Sequence, residues 1–575
     1  MSEHQPKQWE FAQPAPEPFI ERLVSKGQHP VVAQLLWARG YETADEALGF
    51  FDHYGGDDNP FRLKGMLDAV YRLRMAIRHG ERIAVYGDFD CDGVTSTVLV
   101  TQALARLDAD VQAYIPDRVD EGYGLNSPAL KSLADDGVNV VVTVDCGIRS
   151  VKEVEDANSY GLDVIVSDHH SVGPKLPPAY AVINPKQADC PYPEKMLAGV
   201  GLAYKIVQGI YMEQQRRGYR TDDPWHPDDW LDLVAIGTVA DIAPLRGENR
   251  ALVRRGLLRL QHPDRPGLRA LYKVARIRPG EVTATTIGFQ IGPRINAAGR
   301  LRSAMLAVNL LNSEDEAAAD ELAQELNALN QERQAKTREM QSWAEEAFED
   351  GVDGRFLLFA TDDRFEQGVV GLVASRLTDT HYRPSVVVQL GEEESHASCR
   401  SIPEFHITHA LEQCDDLLER YGGHAAAAGF TVLNDNIPAL GERLATIAAD
   451  SLGTMTLIPT LRVDVELPLA DVNLELIKAL DQLEPTGEAN PTPVFVTRNV
   501  RLVDARPVGA EGQHLKLRFA DATGAAEAIA FRWGDRQIAF LGRIDVAYTV
   551  ELDTWNGQQR IKLHLEDVRP AERSA

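Results

Sequence analysis

The sequence predicts a mixed α/β fold: a parallel-sheet unit, a long connecting helix, a second α/β unit and a small C-terminal antiparallel barrel or sandwich. Three observations lead there. Between about residues 80 and 185 the runs "RIAVYG", "VQAYIP", "VNVVVTV", "LDVIVS" and "AYAVIN" alternate with loops and helix-like stretches. They are continuously apolar, as strands buried on both faces of a parallel sheet are. From Ser313 to Gly351 the interior of the segment has no proline or glycine and is rich in Ala, Glu, Gln and Leu, which predicts one helix of roughly 50 Å at about 1.5 Å per residue. From about Thr460 short alternating runs take over, including "LRVDVEL", "HLKLRFAD" and "EAIAFRW".

Each remaining element follows in order. The N-terminal lead reads as helical. After the connector, "GRFLLFAT" and "PSVVVQL" read as strands of the second α/β unit, which ends near "YGGHAAAAGF". At the C-terminus, Asn556-Gly557 between two alternating runs is a hairpin signal, and an OB-fold is one candidate for the closing β-domain.

A chain of 575 residues is too long for one hydrophobic core. With 44% hydrophobic residues and a mean hydropathy of -0.25 it has the composition of a soluble globular protein. No run of about 18 apolar residues is present, so no membrane association is expected. The polar, proline-rich start does not read as a signal peptide. Five cysteines without CxxC spacing argue against a disulfide framework or structural zinc and fit a reducing cytoplasm. The net charge of -27 speaks mildly against nucleic acid as a partner. Affinity for phosphates, however, depends on a local basic groove or a bound metal rather than on the total.

The informative residues are acids. "RIAVYGDFDCDG" places Asp88, Asp90 and Asp92 directly after a strand-like run and before a helix. Carboxylates that close repel one another unless a cation sits among them. "VVVTVD" ends in Asp145, "VIVSDHH" in Asp168, His169 and His170, and "LVAIGTVAD" in Asp241. If the four runs are neighbouring parallel strands, these side chains converge on one sheet edge, where open α/β sheets bind ligands. Taken singly, a DxD serves as well as a turn or helix cap, and a His pair as ordinary core or surface imidazoles. Four such sites in one α/β unit favour a shared role. Hard oxygens with imidazoles suit Mn²⁺ or Mg²⁺. Asp88, Asp90 and Asp145 can hold one ion, and Asp92, Asp145, His169 and Asp241 a second, with Asp145 bridging. Two such ions are a recurring device for phosphoester hydrolysis.

The motifs "DFDCDG", "VDCG", "SDHH" and "GTVADIAPL" resemble those of the DHH phosphoesterase superfamily. With "GPRINAAGR", the connector, "GGHAAAAGF" and "GEANPTPVF", the chain from about residue 30 to 570 is similar to the RecJ family of single-stranded-DNA exonucleases. The resemblance implies a helical lead over 1–75, a DHH catalytic domain over 76–312, a connector helix over 313–351, a DHH-associated domain over 352–455 and an OB-like nucleic-acid-binding domain over 456–575. It implies 5′→3′ hydrolysis of single-stranded DNA to 5′-mononucleotides with Mn²⁺ or Mg²⁺, in DNA repair and recombination. A cytoplasmic monomer is expected, with a single-stranded-DNA-binding protein and a RecQ-type helicase as partners.

The resemblance also carries residue roles. The metal ligands are those above. His170 corresponds to a phosphate-contacting or proton-donating group, and Asp168 to the residue orienting the imidazoles. Arg294, Asn296, Arg300 and Arg400 are expected to contact substrate. Gly422 and Gly423 would let backbone approach a nucleotide while His424 reaches a terminal phosphate. In the β-domain, Phe519, Phe531, Trp533 and Trp555 are candidate stacking platforms, with core packing the alternative for each. Two other readings remain: a DHH hydrolase of short oligonucleotides, cyclic dinucleotides or pyrophosphate, and a non-catalytic DNA-binding relative. The length and β-domain argue against the first, and the complete acid and imidazole motifs against the second.

Overall fold

The computed structural model describes residues 7–51, 58–117, 124–218, 224–348, 350–509, 511–534, 542–555 and 558–571. The Asn556-Gly557 turn and the side chain of Trp555 lie outside the described residues. The chain divides into two compact units, one of Asp57–Ala243 and Leu252–Leu457, the other of Glu3–Gly56, Pro244–Ala251 and Ile458–Ala575.

The first unit opens on a fully parallel sheet of β1 (Arg82–Gly87), β2 (Val111–Tyr114), β3 (Val138–Val144), β4 (Asp163–Ser167) and β5 (Ala181–Ile183), in the order β2-β1-β3-β4-β5. The strands are the five apolar runs seen in the sequence. Val140 to Val142 and Val164 to Val166 are wholly buried, which explains why the runs do not alternate. Leaving β1 the chain passes to β2 on one side, then returns to place β3 on the other. The topology therefore switches between β1 and β3, which opens a crevice at their carboxyl ends.

Four helices frame that crevice: α1 (Cys91–Ala105), α2 (Gly199–Arg216), α3 (Leu231–Ala240) and α4 (Gly292–Leu301). The run "LVAIGTVA" before Asp241 is helix α3, not a strand. Its residues from Leu231 to Thr238 are all buried, and a segment apolar on every side carries no period to distinguish helix from strand. The connector α5 (Glu316–Glu346) spans 31 residues, capped by Asp315, whose side chain accepts from Ala318 N at 2.7 Å. That is about 46 Å of helix.

Beyond it, β6 (Leu358–Asp362), α6 (Gln367–His381), β7 (Ser385–Gln389), β8 (Glu394–Arg400), β9 (Arg420–Gly423) and β10 (Ala427–Leu433) form a mixed sheet ordered β9-β10-β8-β7-β6. Only β6 and β7 pair parallel within it.

The second unit holds a closed barrel. Strands β11 (Phe495–Val508), β12 (His514–Ala520), β13 (Ala525–Ala530), β14 (Arg543–Trp555) and β15 (Gln558–Pro570) run in the order β11-β12-β13-β15-β14, and β14 pairs back to β11. β14 and β15 form the hairpin expected from the alternating runs, with Trp555 opposite Gln558. Its core joins Phe495, Leu517, Phe519, Trp533 and Tyr548 to Phe19, Leu23 and Leu36 of the N-terminal helices. The segment expected to be one helical lead thus divides: helices Glu17–Val24, Pro30–Ala38 and Ala44–Gly49 pack with the barrel, while helix Met66–His79 belongs to the first unit. Strand Gln8–Phe11 pairs parallel with Thr460–Val463.

Candidate metal centre at the sheet switch point

The crevice gathers its acids from three kinds of position. Asp88 follows β1 directly and is buried. Asp90 caps α1, accepting from Asp92 N at 2.9 Å and Gly93 N at 3.1 Å. Asp92, one residue into the helix, is buried and takes Gly199 N at 2.7 Å and Val200 N at 2.8 Å from the first turn of α2. Asp145 ends β3 with φ +64°, a left-handed conformation costly for a non-glycine residue and kept where the surroundings demand it. Asp241 sits at the C-cap of α3, where the helix dipole disfavours a carboxylate.

These side chains meet. Ligand atoms of Asp88, Asp90 and Asp145 lie within 4.8 Å of one another, as do those of Asp92, His169 and Asp241, and those of Asp145, His169 and His170. His169 Nε2 stands 3.1 Å from Asp145 Oδ1 and 3.8 Å from Asp241 Oδ2. Although close, the first two atoms do not hydrogen-bond: both are buried, and neither has a hydrogen-bond partner among the described residues. Donors arranged this way suit a shared cation rather than each other.

The electrostatics agree. Burial, then the charge of Asp241, pushes the Asp92 carboxyl well above its ordinary range, and burial, then Asp92, does the same to Asp145. Asp241 is raised to about 7 by burial and by Asp90. Burial and the neighbouring His170 lower His169 to about 3, so it is neutral at neutral pH with a nitrogen lone pair to offer. His170 behaves differently. Burial opposes its charge, but Nδ1 donates to Asp168 Oδ1 at 2.7 Å, which leaves His170 raised and Asp168 lowered. Asp168 is further fixed by His170 N and Ile148 N, both at 2.9 Å. Its carboxylate is thus spent on the loop and the imidazole rather than offered to the acid cluster.

A divalent pair fits this set: hard oxygens, a neutral imidazole, buried donor atoms without hydrogen bonds, and raised carboxyl pKa values that a cation would relieve. Protons and metal must then compete. Since burial and neighbouring acids raise Asp241 to about 7 and hold Asp92 and Asp145 well above the ordinary carboxylate range, Mn²⁺ binding at pH 7 should release a measurable number of protons, and affinity should fall as pH falls. Calorimetry in buffers of different ionisation enthalpy reads that number directly; zero release would contradict the shifts.

The other residues singled out in the sequence are placed as follows. Asn296 Oδ1 accepts from Cys91 N at 2.7 Å and so braces the Asp90–Asp92 loop. Gly299 packs so closely that a Cβ would lie 2.2 Å from Phe89 O. Arg294 is half-buried, bonded to Asn327 Oδ1 at 3.1 Å and Gln290 O at 2.6 Å, with no acid partner among the described residues. Arg300 reaches across to Gly368 O at 3.1 Å, at the start of α6. Arg400 is largely buried; its guanidinium donates to Cys399 O at 2.9 Å, and burial lowers its pKa without a carboxylate in support. Gly422 and Gly423 end β9 in a tight hairpin, not at a helix end: Gly423 has φ +147°, a Cβ there would lie 2.4 Å from Ala427 O, and His424 N donates to that oxygen at 2.8 Å. Of the aromatic candidates, Phe519 and Trp533 are core, whereas Phe531 is 50% exposed beside His514 and His564.

Three family profiles match: the N-terminal domain of the DHH family over residues 82–238, the DHHA1 domain over 353–450 and the RecJ OB domain over 463–567. The single-stranded-DNA-specific exonuclease RecJ of Bacillus subtilis is 39% identical over 570 residues, covering 98% of this chain and 71% of the relative. The chain belongs to the RecJ family. RecJ of Thermus thermophilus in complex with Mn²⁺ superposes with a TM-score of 0.84 at 31% identity, covering 98% of this chain and 80% of that one. The same protein in complex with Mg²⁺ gives 0.78 at 30%, covering 98% and 79%.

Within the RecJ fold, sequence reasoning overlooked Gly199 and Val200, whose amides hold Asp92. Gly199 is also where any side chain would collide with Asp145, a Cβ falling 2.6 Å from its Oδ1. The signal was present as "LAGVGLAY", two glycines opening an apolar helix, but its target lies more than 100 residues upstream.

Proposed function

We propose that this protein is a metal-dependent 5′→3′ exonuclease that degrades single-stranded DNA to 5′-mononucleotides in DNA repair and recombination. The observation that carries the reading is the meeting of Asp88, Asp90, Asp92, Asp145, His169 and Asp241 at the β1/β3 switch point of a RecJ-family chain. In this reading Asp88, Asp90 and Asp145 hold one Mn²⁺ or Mg²⁺, and Asp92, Asp145, His169 and Asp241 the other. Such a pair, when bound, supplies Lewis acidity to the phosphate and acidifies an attacking water. Asp145, at its strained strand end, would serve both sites. Asp92 is held by the α2 amides, and Asp168 keeps His170 protonated on Nδ1, positioned to contact the phosphate or to give a proton to the departing 3′-oxygen.

The parts divide the work. The DHH domain (76–312) carries the chemistry, the connector (313–351) leads to the DHH-associated domain (352–455), and the OB-like domain (456–575) binds the strand. Phe531 is the stacking residue there. Arg294, Asn296 and Arg300 line the path of the backbone, with Asn296 also fixing the metal loop. Arg400, a largely buried guanidinium with no acid partner among the described residues, and His424 beside the Gly422-Gly423 turn, receive the 5′-terminal phosphate. The protein is read as a cytoplasmic monomer whose partners are a single-stranded-DNA-binding protein and a RecQ-type helicase. No helix among the described residues is long and apolar enough to cross a membrane.

Digestion of end-labelled oligonucleotides tests polarity and end recognition together. A 5′-labelled strand should lose its label as mononucleotide at once, and a 3′-labelled strand only after shortening. Removing the 5′-phosphate, or making Arg400→Met or His424→Ala, should slow the reaction about tenfold or more, the scale of a charge-assisted contact of about 1.5–3 kcal/mol. Equal rates on 5′-phosphate and 5′-hydroxyl strands, unchanged in both variants, would remove that role from the DHH-associated domain.

A further inference from the structure

Beside the switch-point crevice, at the carboxyl end of β5, stands a lysine to which the roles above give no part. β5 is the edge strand beside β4, and the chain leaving its carboxyl end runs Asn184, Pro185, Lys186. This turn is tied to the Asp168–His170 loop. Asp168 N donates to Ile183 O at 3.1 Å. The wholly buried Asn184 donates from Nδ2 to His170 O at 3.0 Å, while its Oδ1 accepts from Lys186 N at 2.8 Å. From behind, Gln187 Nε2 donates to Val182 O at 3.0 Å, and Lys195 Nζ to Pro185 O at 3.0 Å. One buried asparagine therefore sets the position of Lys186 relative to His170.

Lys186 differs from other lysines around this segment. Lys195 Nζ is taken up by two carbonyls and Lys64 by Asp189. The Lys186 ammonium is half-buried yet makes no hydrogen bond or ion pair among the described residues. Its turn is hydrogen-bonded through Asn184 and Ile183 to the Asp168–His170 loop, and its charge is felt by Asp168, Asp241 and His169. A partly desolvated ammonium with no hydrogen bond to satisfy it is unfavourable in the free protein, and is worth keeping where an anion arrives during function.

We propose that Lys186 is a catalytic residue of the nuclease reaction, its ammonium contacting a non-bridging oxygen of the scissile phosphate. In the hydrolysis a water oxygen adds to phosphorus and the bond from phosphorus to the 3′-oxygen breaks. The water gives up one proton and the departing 3′-oxygen gains one. Lys186 keeps its proton throughout and offsets the negative charge that gathers on the phosphoryl oxygens. The inference rests on the nuclease reading above.

The test uses the full chain with Mn²⁺ and a 5′-phosphorylated single-stranded oligonucleotide. Lys186→Met and Lys186→Gln keep the stem and remove the charge, and should lower kcat about 10²-fold. KM, melting temperature and the number of Mn²⁺ bound should stay at wild-type values. Lys186→Arg should recover about a tenth or more of the wild-type rate. Wild-type kcat in both neutral variants overturns the proposal. So does a loss shared equally by Lys186→Arg and accompanied by lost Mn²⁺ binding, which makes the turn merely structural. A wild-type protein inert on single strands, by contrast, overturns the nuclease reading and this inference with it.

Discussion

Asp145→Ala is expected to abolish hydrolysis, with a loss of about 10³-fold or more, or about 4 kcal/mol of transition-state stabilisation. Asp145 shares one ligand group with Asp88 and Asp90 and another with His169 and His170, and among the described residues its Oδ1 is buried without a hydrogen bond, so it is the acid that reaches both the Asp88–Asp90 side and the His169 side of the crevice. Asp88→Ala should cost less, because Asp88 belongs to one group alone. The isosteric Asp145→Asn separates chemistry from folding. A carboxyl whose folded pKa is raised destabilises the fold at any pH above its unfolded value, and Asp145 is raised well above it by burial and by Asp92. In EDTA at pH 7, Asp145→Asn should therefore melt at a higher temperature than wild type while remaining inactive. A lower melting temperature would mean that Asp145 serves the fold rather than the metals. Single-strand turnover and thermal denaturation check the two halves.

Gly199→Ala is the second large effect, and it replaces no ligand. The added methyl would sit 2.7 Å from Asp145 Cβ and 2.6 Å from its Oδ1. Such contacts cannot stand, and because Asp145 Cβ is anchored at the backbone, rotating the carboxylate alone does not relieve them. Either α2 retreats, taking the Gly199 and Val200 amides from Asp92, or Asp145 turns away. Both displace a ligand by a fraction of an ångström or more, and misplacement on that scale costs about 10²-fold in rate. The barrel belongs to the other compact unit and should be unaffected, so single-strand affinity measured without metal should stay near wild type. Normal turnover would show that the crevice tolerates movement that the tight packing forbids.

Much of this was legible in the chain. The five parallel strands announced themselves because burial on both faces leaves nothing polar in Val140 to Val142 or Val164 to Val166. Acids at strand ends then marked the ligand edge. Asp241 was found for a partly mistaken reason: its apolar run is helix α3, and a run without period reports burial but not conformation. β11 escaped notice because "TRNVRLVDARP" is strewn with charges. It is held instead by pairing with β12 and β14. The association of Phe19, Leu23 and Leu36 with the barrel core joins residues more than 400 apart, and no local pattern encodes it. The same limit hid the amides of Gly199 and Val200 on Asp92. Conversely, tertiary packing decided between the aromatic candidates, burying Phe519 and Trp533 and leaving Phe531 outside.

Whether the acids of the β1/β3 switch point hold two ions bridged by Asp145 is tested most directly by electron paramagnetic resonance of the full chain titrated with Mn²⁺. Two ions about 3.5–4 Å apart are exchange-coupled, so wild type should bind two Mn²⁺ per chain and lose the isolated-ion signal as the second site fills. Asp145→Ala should bind fewer ions and show only uncoupled Mn²⁺. A wild-type spectrum of isolated ions at full loading, or a coupled pair that survives in Asp145→Ala, would contradict the account.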